Sequence, residues 1–260
     1  MEVWATELEV PPNEISGGFK QKPKGLISHN AYKLAKYRNR FVRQLDDANV
    51  EYLDLMRVWP EGGYRISDWD FCGLYGNNGL AGAIFTVGID LERLRAIPDA
   101  SPRGFSQEAM CRNTQYVDAK YGFAVSMPKL FMPGGYALGL ASGELPEDMI
   151  DDCNAWTRFS GRECERTLRN IYGHNVLNTR HLDILVGDQR LEDWIKTSRG
   201  RGRIEALGNG LFLWTFQEGD DQEEFLKWDY PPVLQAREEL KQYEMLPWQR
   251  FRRQQQEPMR

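Results

Sequence analysis

Three histidines bound the chemistry open to this chain: His29, His174 and His181. His174 and His181 lie seven residues apart, which is neither the i, i+4 spacing of a helical ligand pair nor an H-E-x-x-H pattern. Both read as ordinary structural or surface residues. The glycine-rich run Gly134-Gly135-Tyr136-Ala137-Leu138-Gly139-Leu140-Ala141-Ser142-Gly143 places no lysine for a phosphate. Nor does Ser142 stand in a G-x-S-x-G elbow, so the run reads as a closely packed strand of small residues. Asp90-Leu91-Glu92 and Glu192-Asp193 could each approach a divalent ion, but a metal-dependent nuclease also needs a placed lysine and a basic groove. Glu192 and Lys196 read more simply as an i, i+4 helix pair. Cys72, Cys111, Cys153 and Cys164 form no C-x-x-C pair and suggest free thiols in a reducing compartment. No catalytic residue, metal ligand or cofactor is expected, and the chain does not read as an enzyme.

Charge layout carries more. Between Ile15 and Leu45 stand eight basic residues, Lys20, Lys22, Lys24, Lys33, Lys36, Arg38, Arg40 and Arg43, and no Asp or Glu. That segment could touch nucleic acid or pair with an acidic surface. Glu144, Glu147, Asp148, Asp151 and Asp152 crowd a helix start, where negative charge suits the helix dipole. Glu218, Asp220, Asp221, Glu223, Glu224 and Asp229 surround Phe225, Trp228 and Tyr230. Any of these could be a solvated face. The acidic aromatic segment could instead imitate a phosphate backbone or complement the basic groove of a nuclease, and its rings make it the preferred interface. Asp220, Asp221, Glu223, Glu224, Trp228 and Asp229 are the candidate binding residues.

The elements that must position these groups are short. Residues 1–27 read as an irregular arm, broken by Pro11-Pro12 and Gly17-Gly18. Leu34, Tyr37, Phe41 and Leu45 mark one face of a helix beginning near Asn30. Strands are expected at Tyr52–Trp59, Tyr64–Trp69, Ala83–Ile89, Tyr121–Met127 and Tyr136–Ala141, while Glu108 to Asp118 fits a strand or irregular chain. Pro146 opens a helix to about Arg158 with Met149, Ile150 and Trp156 inward, and a second helical piece covers Arg162 to Tyr172. A short helix follows at Leu191–Lys196. Gly208-Asn209-Gly210 joins Arg203–Leu207 to Leu211–Phe216 as a hairpin, because that turn demands positive φ. Pro231-Pro232 starts a last helix to about Tyr243, carrying Val233, Leu234, Leu240 and Tyr243. Strands and helices without regular alternation predict an α+β fold, a mostly antiparallel sheet with helices packed on it. The expected organisation is one domain over residues 28–246, followed by a polar tail at 247–260.

At 260 residues with 41% apolar and 27% charged side chains, the chain can bury a sizeable core. A net charge of −5 does not suit a general nucleic-acid binder, and direct nucleic-acid contact is not expected. It does suit a basic protein partner. No run is long and apolar enough for a membrane span, and no signal peptide is evident, so a cytoplasmic location is expected.

From Tyr121-Gly122-Phe123-Ala124-Val125-Ser126-Met127-Pro128 onward the order of segments resembles the type VI secretion immunity family. The resemblance rests on Gly135–Leu140, His174-Asn175-Val176-Leu177-Asn178, Leu182-Asp183-Ile184-Leu185-Val186-Gly187 and Leu191-Glu192-Asp193-Trp194-Ile195. The hairpin Ile204–Leu211, Gly219-Asp220 and the proline-started helix complete it, over roughly residues 120–245. The chain departs from the family at Asp188, where a second glycine is common; immunity protein 52 is a neighbouring family with similar features. The resemblance implies a cytosolic antitoxin that binds and neutralises a cognate secreted antibacterial effector, in many cases a nuclease, and it brings no catalytic residues. The rival reading is a nucleic-acid-binding module using residues 20–43.

Overall fold

The computed structural model describes residues 14–21, 25–33, 50–57, 70–75, 84–88, 91–95, 101–116, 119–128, 133–137, 139–140, 145–159, 165–218 and 223–243, with Lys36, Phe131 and Leu246. In chain order its strands are β1 Glu14–Gln21, β2 Gly25–Lys33, β3 Val50–Arg57, β4 Asp70–Tyr75, β5 Ile84–Gly88 and β6 Gly122–Ala124, then β7 His174–Asn178, β8 Leu185–Val186, β9 Gln189–Arg190, β10 Arg203–Gly208 and β11 Leu211–Thr215. Its helices are α1 Leu91–Arg95, α2 Pro102–Tyr116, α3 Pro133–Ala137, α4 Glu147–Phe159, α5 Thr179–Leu182, α6 Leu191–Lys196 and α7 Pro231–Lys241. Every ladder between these strands is antiparallel, so the fold is α+β with antiparallel sheets. Among the described residues no helix is long and apolar enough to cross a membrane.

Two compact units divide the chain: residues 1–99 with 132–138, and residues 100–131 with 139–260. The single domain expected over 28–246 spans parts of both. The first unit holds a five-stranded sheet in the order β2-β1-β3-β4-β5, with α3 against β5. β1 and the start of β2 occupy the stretch expected to be an irregular arm. Gly17-Gly18, taken as an interruption, sits where the register shifts on both sides of β1, and such irregularities accommodate glycine within a ladder. β2 also runs through Lys33, into the helix expected from Asn30; most of the remainder of that helix, and the strand expected at Tyr64–Trp69, lie outside the described residues.

The second unit is built on a four-stranded sheet in the order β10-β11-β7-β6, and both faces of its middle strands are covered. Side chains alternate across a strand, so Leu211 and Leu213 of β11 join Val176 of β7 and Met110 of α2 on one face. Trp214 turns to the other face and packs with Leu177, Leu182, Leu191, Trp194, Ile195, Val233, Ala236 and Leu240. Trp214 is fully buried, meets Trp194 edge-on at 6.4 Å, and its indole N–H donates to the Arg201 carbonyl at 2.7 Å. Burial of a ring that size, with its one polar atom satisfied, contributes roughly 3 kcal/mol.

Two segments expected as strand or irregular chain are helical, and one expected as helix is not. Ser101 Oγ accepts from the Gly104 N–H at 3.0 Å and Pro102 fills the first helical position, so α2 has a proper start. Its buried positions Pro102, Ser106 and Met110 recur every fourth residue, but only one is a large apolar side chain, which hides the period. Pro133 likewise opens α3 where a strand through Tyr136–Ala141 was expected. Over 165–173 the chain is irregular, because side chains take its backbone groups. The Asn170 Oδ1 accepts from Ile171 N, the Asn175 Oδ1 accepts from Tyr172 N, and the Ile171 carbonyl accepts from Arg237. The hairpin between β10 and β11 turns through Gly208, Asn209 and Gly210, all at positive φ.

Candidate functional site

The second unit buries an ion pair. Asp152 and Arg169, each 1% exposed, form an ion pair at 3.0 Å. The Arg169 guanidinium lies between the rings of Phe123 and Trp156, 5.3 and 5.1 Å from their centroids, and Phe123 stacks on Tyr172 at 4.1 Å. Desolvation, followed by the Asp152 carboxylate, raises the Cys153 thiol to about 12, partly offset by Arg169, so the sulfur stays protonated and inert. Burial raises the Tyr121 phenol too, and its O–H donates to the Asn170 carbonyl. Asp152, one of the acidic residues that crowd the start of α4, lies inside because it falls on the same helical face as Met149 and Cys153.

His174 and His181 are structural. His181 is fully buried and completes a reciprocal cap at the start of α5. Its Nδ1 accepts from Asn178 N at 3.1 Å, so the proton sits on Nε2, which faces the Thr167 carbonyl at 3.3 Å. His174, 1% exposed, has Nδ1 at 3.3 Å from Ser106 Oγ and its ring 4.8 Å from Phe225. The Ser106 hydroxyl donates to the Arg103 carbonyl, which leaves its oxygen to accept from the imidazole tautomer that carries its proton on Nδ1. That polarity is the reverse of an activated serine nucleophile. Burial first, then Arg103 and Arg203, lower His174 from 6.5 to about 4 and keep it neutral. Among the described residues no group of three His, Cys, Asp or Glu side chains could hold a metal ion.

The acidic aromatic segment is anchored from below. Phe225 and Leu226 are buried, so Phe225 belongs to the core and not to an interface. Ser126 N donates to the Leu226 carbonyl and Trp228 N donates to the Ser126 carbonyl, a short parallel bridge two residues beyond the end of β6. Arg237, on the buried face of α7, donates from Nη1 to the Trp228 carbonyl at 3.0 Å and from Nε and Nη2 to the Ile171 carbonyl at 2.9 and 2.7 Å. Gly173 passes so close to the Phe225 carbonyl that any side chain there would collide with it. These contacts hold the backbone of 225–228 in place without using its carboxylates.

Of the candidate binding residues, Glu224 and Asp229 are exposed, Glu223 and Trp228 are half-buried, and Asp220 and Asp221 lie outside the described residues. Glu218 is exposed as well. Lys227 pairs with Glu224 at 2.6 Å, and that hydrogen bond, with the charges of Glu224, Asp229 and Glu223, raises the lysine above its usual value. Trp228 meets Phe131 edge-on at 5.8 Å, so its ring is half anchored and half presented. Arg237 escaped sequence reasoning because Ala236-Arg237-Glu238-Glu239 reads as a solvated helix surface. Its position relative to Val233 and Leu240, four residues before and three after, is the signal that places it inward. No family model, curated protein or solved structure matches the chain.

Proposed function

We propose that this chain is an immunity-type protein that binds an antibacterial effector, a nuclease with a basic groove, and holds it inactive in the cytoplasm. The carrying observation is the anchored acidic segment: Asp229 is exposed next to Trp228 in the chain, and Glu224 is exposed while paired with Lys227, on a backbone pinned by Arg237, Ser126 and two buried apolar side chains. Carboxylates on a fixed backbone lose little freedom on binding, and a half-buried tryptophan supplies contact area of the kind that anchors protein interfaces. A negative field there speeds encounter with a basic groove.

Co-expression tests this reading. A secreted toxin domain encoded beside this chain should arrest growth alone, and growth should return when the chain is supplied with it. The purified pair should migrate as one complex. A toxin that kills equally with and without the chain, and fails to co-purify with it, contradicts the reading.

A further inference from the structure

The hairpin between β10 and β11 turns on Asn209 and Gly210, with Gly208 and Leu211 paired at its base. Their φ values of 53° and 73° are both positive, as a type I′ turn demands, and among the described residues Asn209 is the only non-glycine in that region. Both residues are exposed, and the space where a Cβ on Gly208 or Gly210 would stand is open. Among the described residues nothing hydrogen-bonds to the Asn209 side-chain amide or to the Gly210 N–H. Asn175 and Asn178 differ on each count. The Asn175 amide is held at both ends by the Tyr172 backbone, and Asn178 Nδ2 donates to the Lys120 and Glu165 carbonyls. The residues that follow them, Val176 and Thr179, are β-branched and crowd the backbone nitrogen, whereas glycine leaves it open.

We propose that Asn209 is a site of spontaneous deamidation in the folded protein, with the Gly210 backbone nitrogen as nucleophile. Hydroxide takes the Gly210 N–H proton, and the nitrogen attacks the Asn209 Cγ. The Cγ–Nδ2 bond then breaks and ammonia leaves, taking its third hydrogen from water and so regenerating hydroxide. The product is a succinimide. Water opens it at Cγ to leave aspartate, or at the Asn209 main-chain carbonyl to leave isoaspartate, whose backbone runs through the side chain. In sum one water enters and one ammonia departs. The attack requires rotation about the Asn209 Cα–C bond, so the turn must open briefly. With glycine on either side and no hydrogen bond on the Asn209 side chain, the hairpin's own closing hydrogen bonds are what resist that opening. Aspartate keeps the turn, since it tolerates the left-handed region. Isoaspartate adds a backbone carbon to the loop and so strains Leu211, which is 6% exposed and packed with Leu213, Val176 and Met110. The site does not depend on the function proposed for the acidic segment.

The test holds the full chain in mildly alkaline buffer for weeks, checks by circular dichroism that it stays folded, and maps its tryptic peptides by mass spectrometry. A denatured sample is run beside it as the reference. In the peptide Ile204–Lys227, Asn209 is the only asparagine, so a mass gain there reports this site. The folded chain should convert at Asn209 to aspartate and isoaspartate, more slowly than the denatured chain and faster as pH rises. Labelling by an isoaspartate methyltransferase should mark the same peptide. Asn209→Gly, which keeps a turn-compatible Gly-Gly pair, should lose both the mass gain and the label. Amide exchange over 206–212 should quicken in the isoaspartate fraction. Asn209 that converts in the denatured chain but stays intact in the folded one overturns the proposal, as does a label on that peptide that survives Asn209→Gly.

Discussion

Asp152 and Asp229 are both carboxylates near a tryptophan, yet the molecule treats them oppositely. Asp152 is shut away at 1% exposure against Arg169, while Asp229 stands in solvent one residue after Trp228. Around Asp152 the charges answer one another, and the surrounding rings of Phe123, Trp156 and Tyr172 exclude water. Around Asp229 the backbone is held by hydrogen bonds to Ser126 and Arg237 and by the burial of Phe225 and Leu226. A buried ion pair fixes a fold; an anchored strip of exposed charge is suited to a partner.

The sharpest way to break this contrast is from the inside. Arg169→Met should cost about 4 kcal/mol in chemical denaturation, since it leaves Asp152 buried and unpaired. Adding Asp152→Leu should recover most of that loss, because an apolar pair of similar volume removes the desolvation cost. Recovery of nothing would mean that the pair is not the source of the effect.

Acid should reach the same interior through His174. Its folded value of about 4 lies below the usual 6.5, so the folded state resists the proton that the unfolded chain accepts. Stability is complete above about pH 6.5, declines as pH falls toward 4, and loses about 3 kcal/mol in all from this group. His174→Gln should flatten that part of the pH–stability curve. An unchanged slope would remove His174 as its cause.

Gly173→Ala presses on the link between interior and rim. The collision with the Phe225 carbonyl should cost about 2 kcal/mol and raise amide exchange through 224–228. At the small end, Glu224→Ser with Asp229→Ser should change stability by no more than about 0.5 kcal/mol. A larger loss would make those carboxylates part of the fold.

Elements with a strong local signal were legible in the sequence. Leu191–Lys196 forms the expected helix, Gly208-Asn209-Gly210 turns the expected hairpin, and Pro231-Pro232 opens the expected helix, because each depends on residues adjacent in the chain. Leu234 and Tyr243, assigned to that last helix's apolar set, are exposed at 40% and 42%, since burial depends on what the helix meets. Long-range pairing was the part that sequence hid. Nothing near Arg162–Tyr172 announces that Arg237, some 66 residues on, will take the Ile171 carbonyl. Asp152 and Arg237 each sit on an apolar face at helical spacing, a signal outweighed by neighbouring charges. The acidic segment was recognised by composition, but its anchoring, which depends on Ser126, Gly173 and Arg237, required the fold.

The most direct measurement is the association rate with the cognate toxin across a salt series, for the wild-type chain and for Asp220→Ser, Asp221→Ser, Glu223→Ser and Glu224→Ser combined. Wild type should bind fast at low salt and slow steeply as salt rises, while the variant should start about tenfold slower and depend on salt far less. Equal rates and equal salt dependence in the two proteins would contradict a toxin-facing role for this segment.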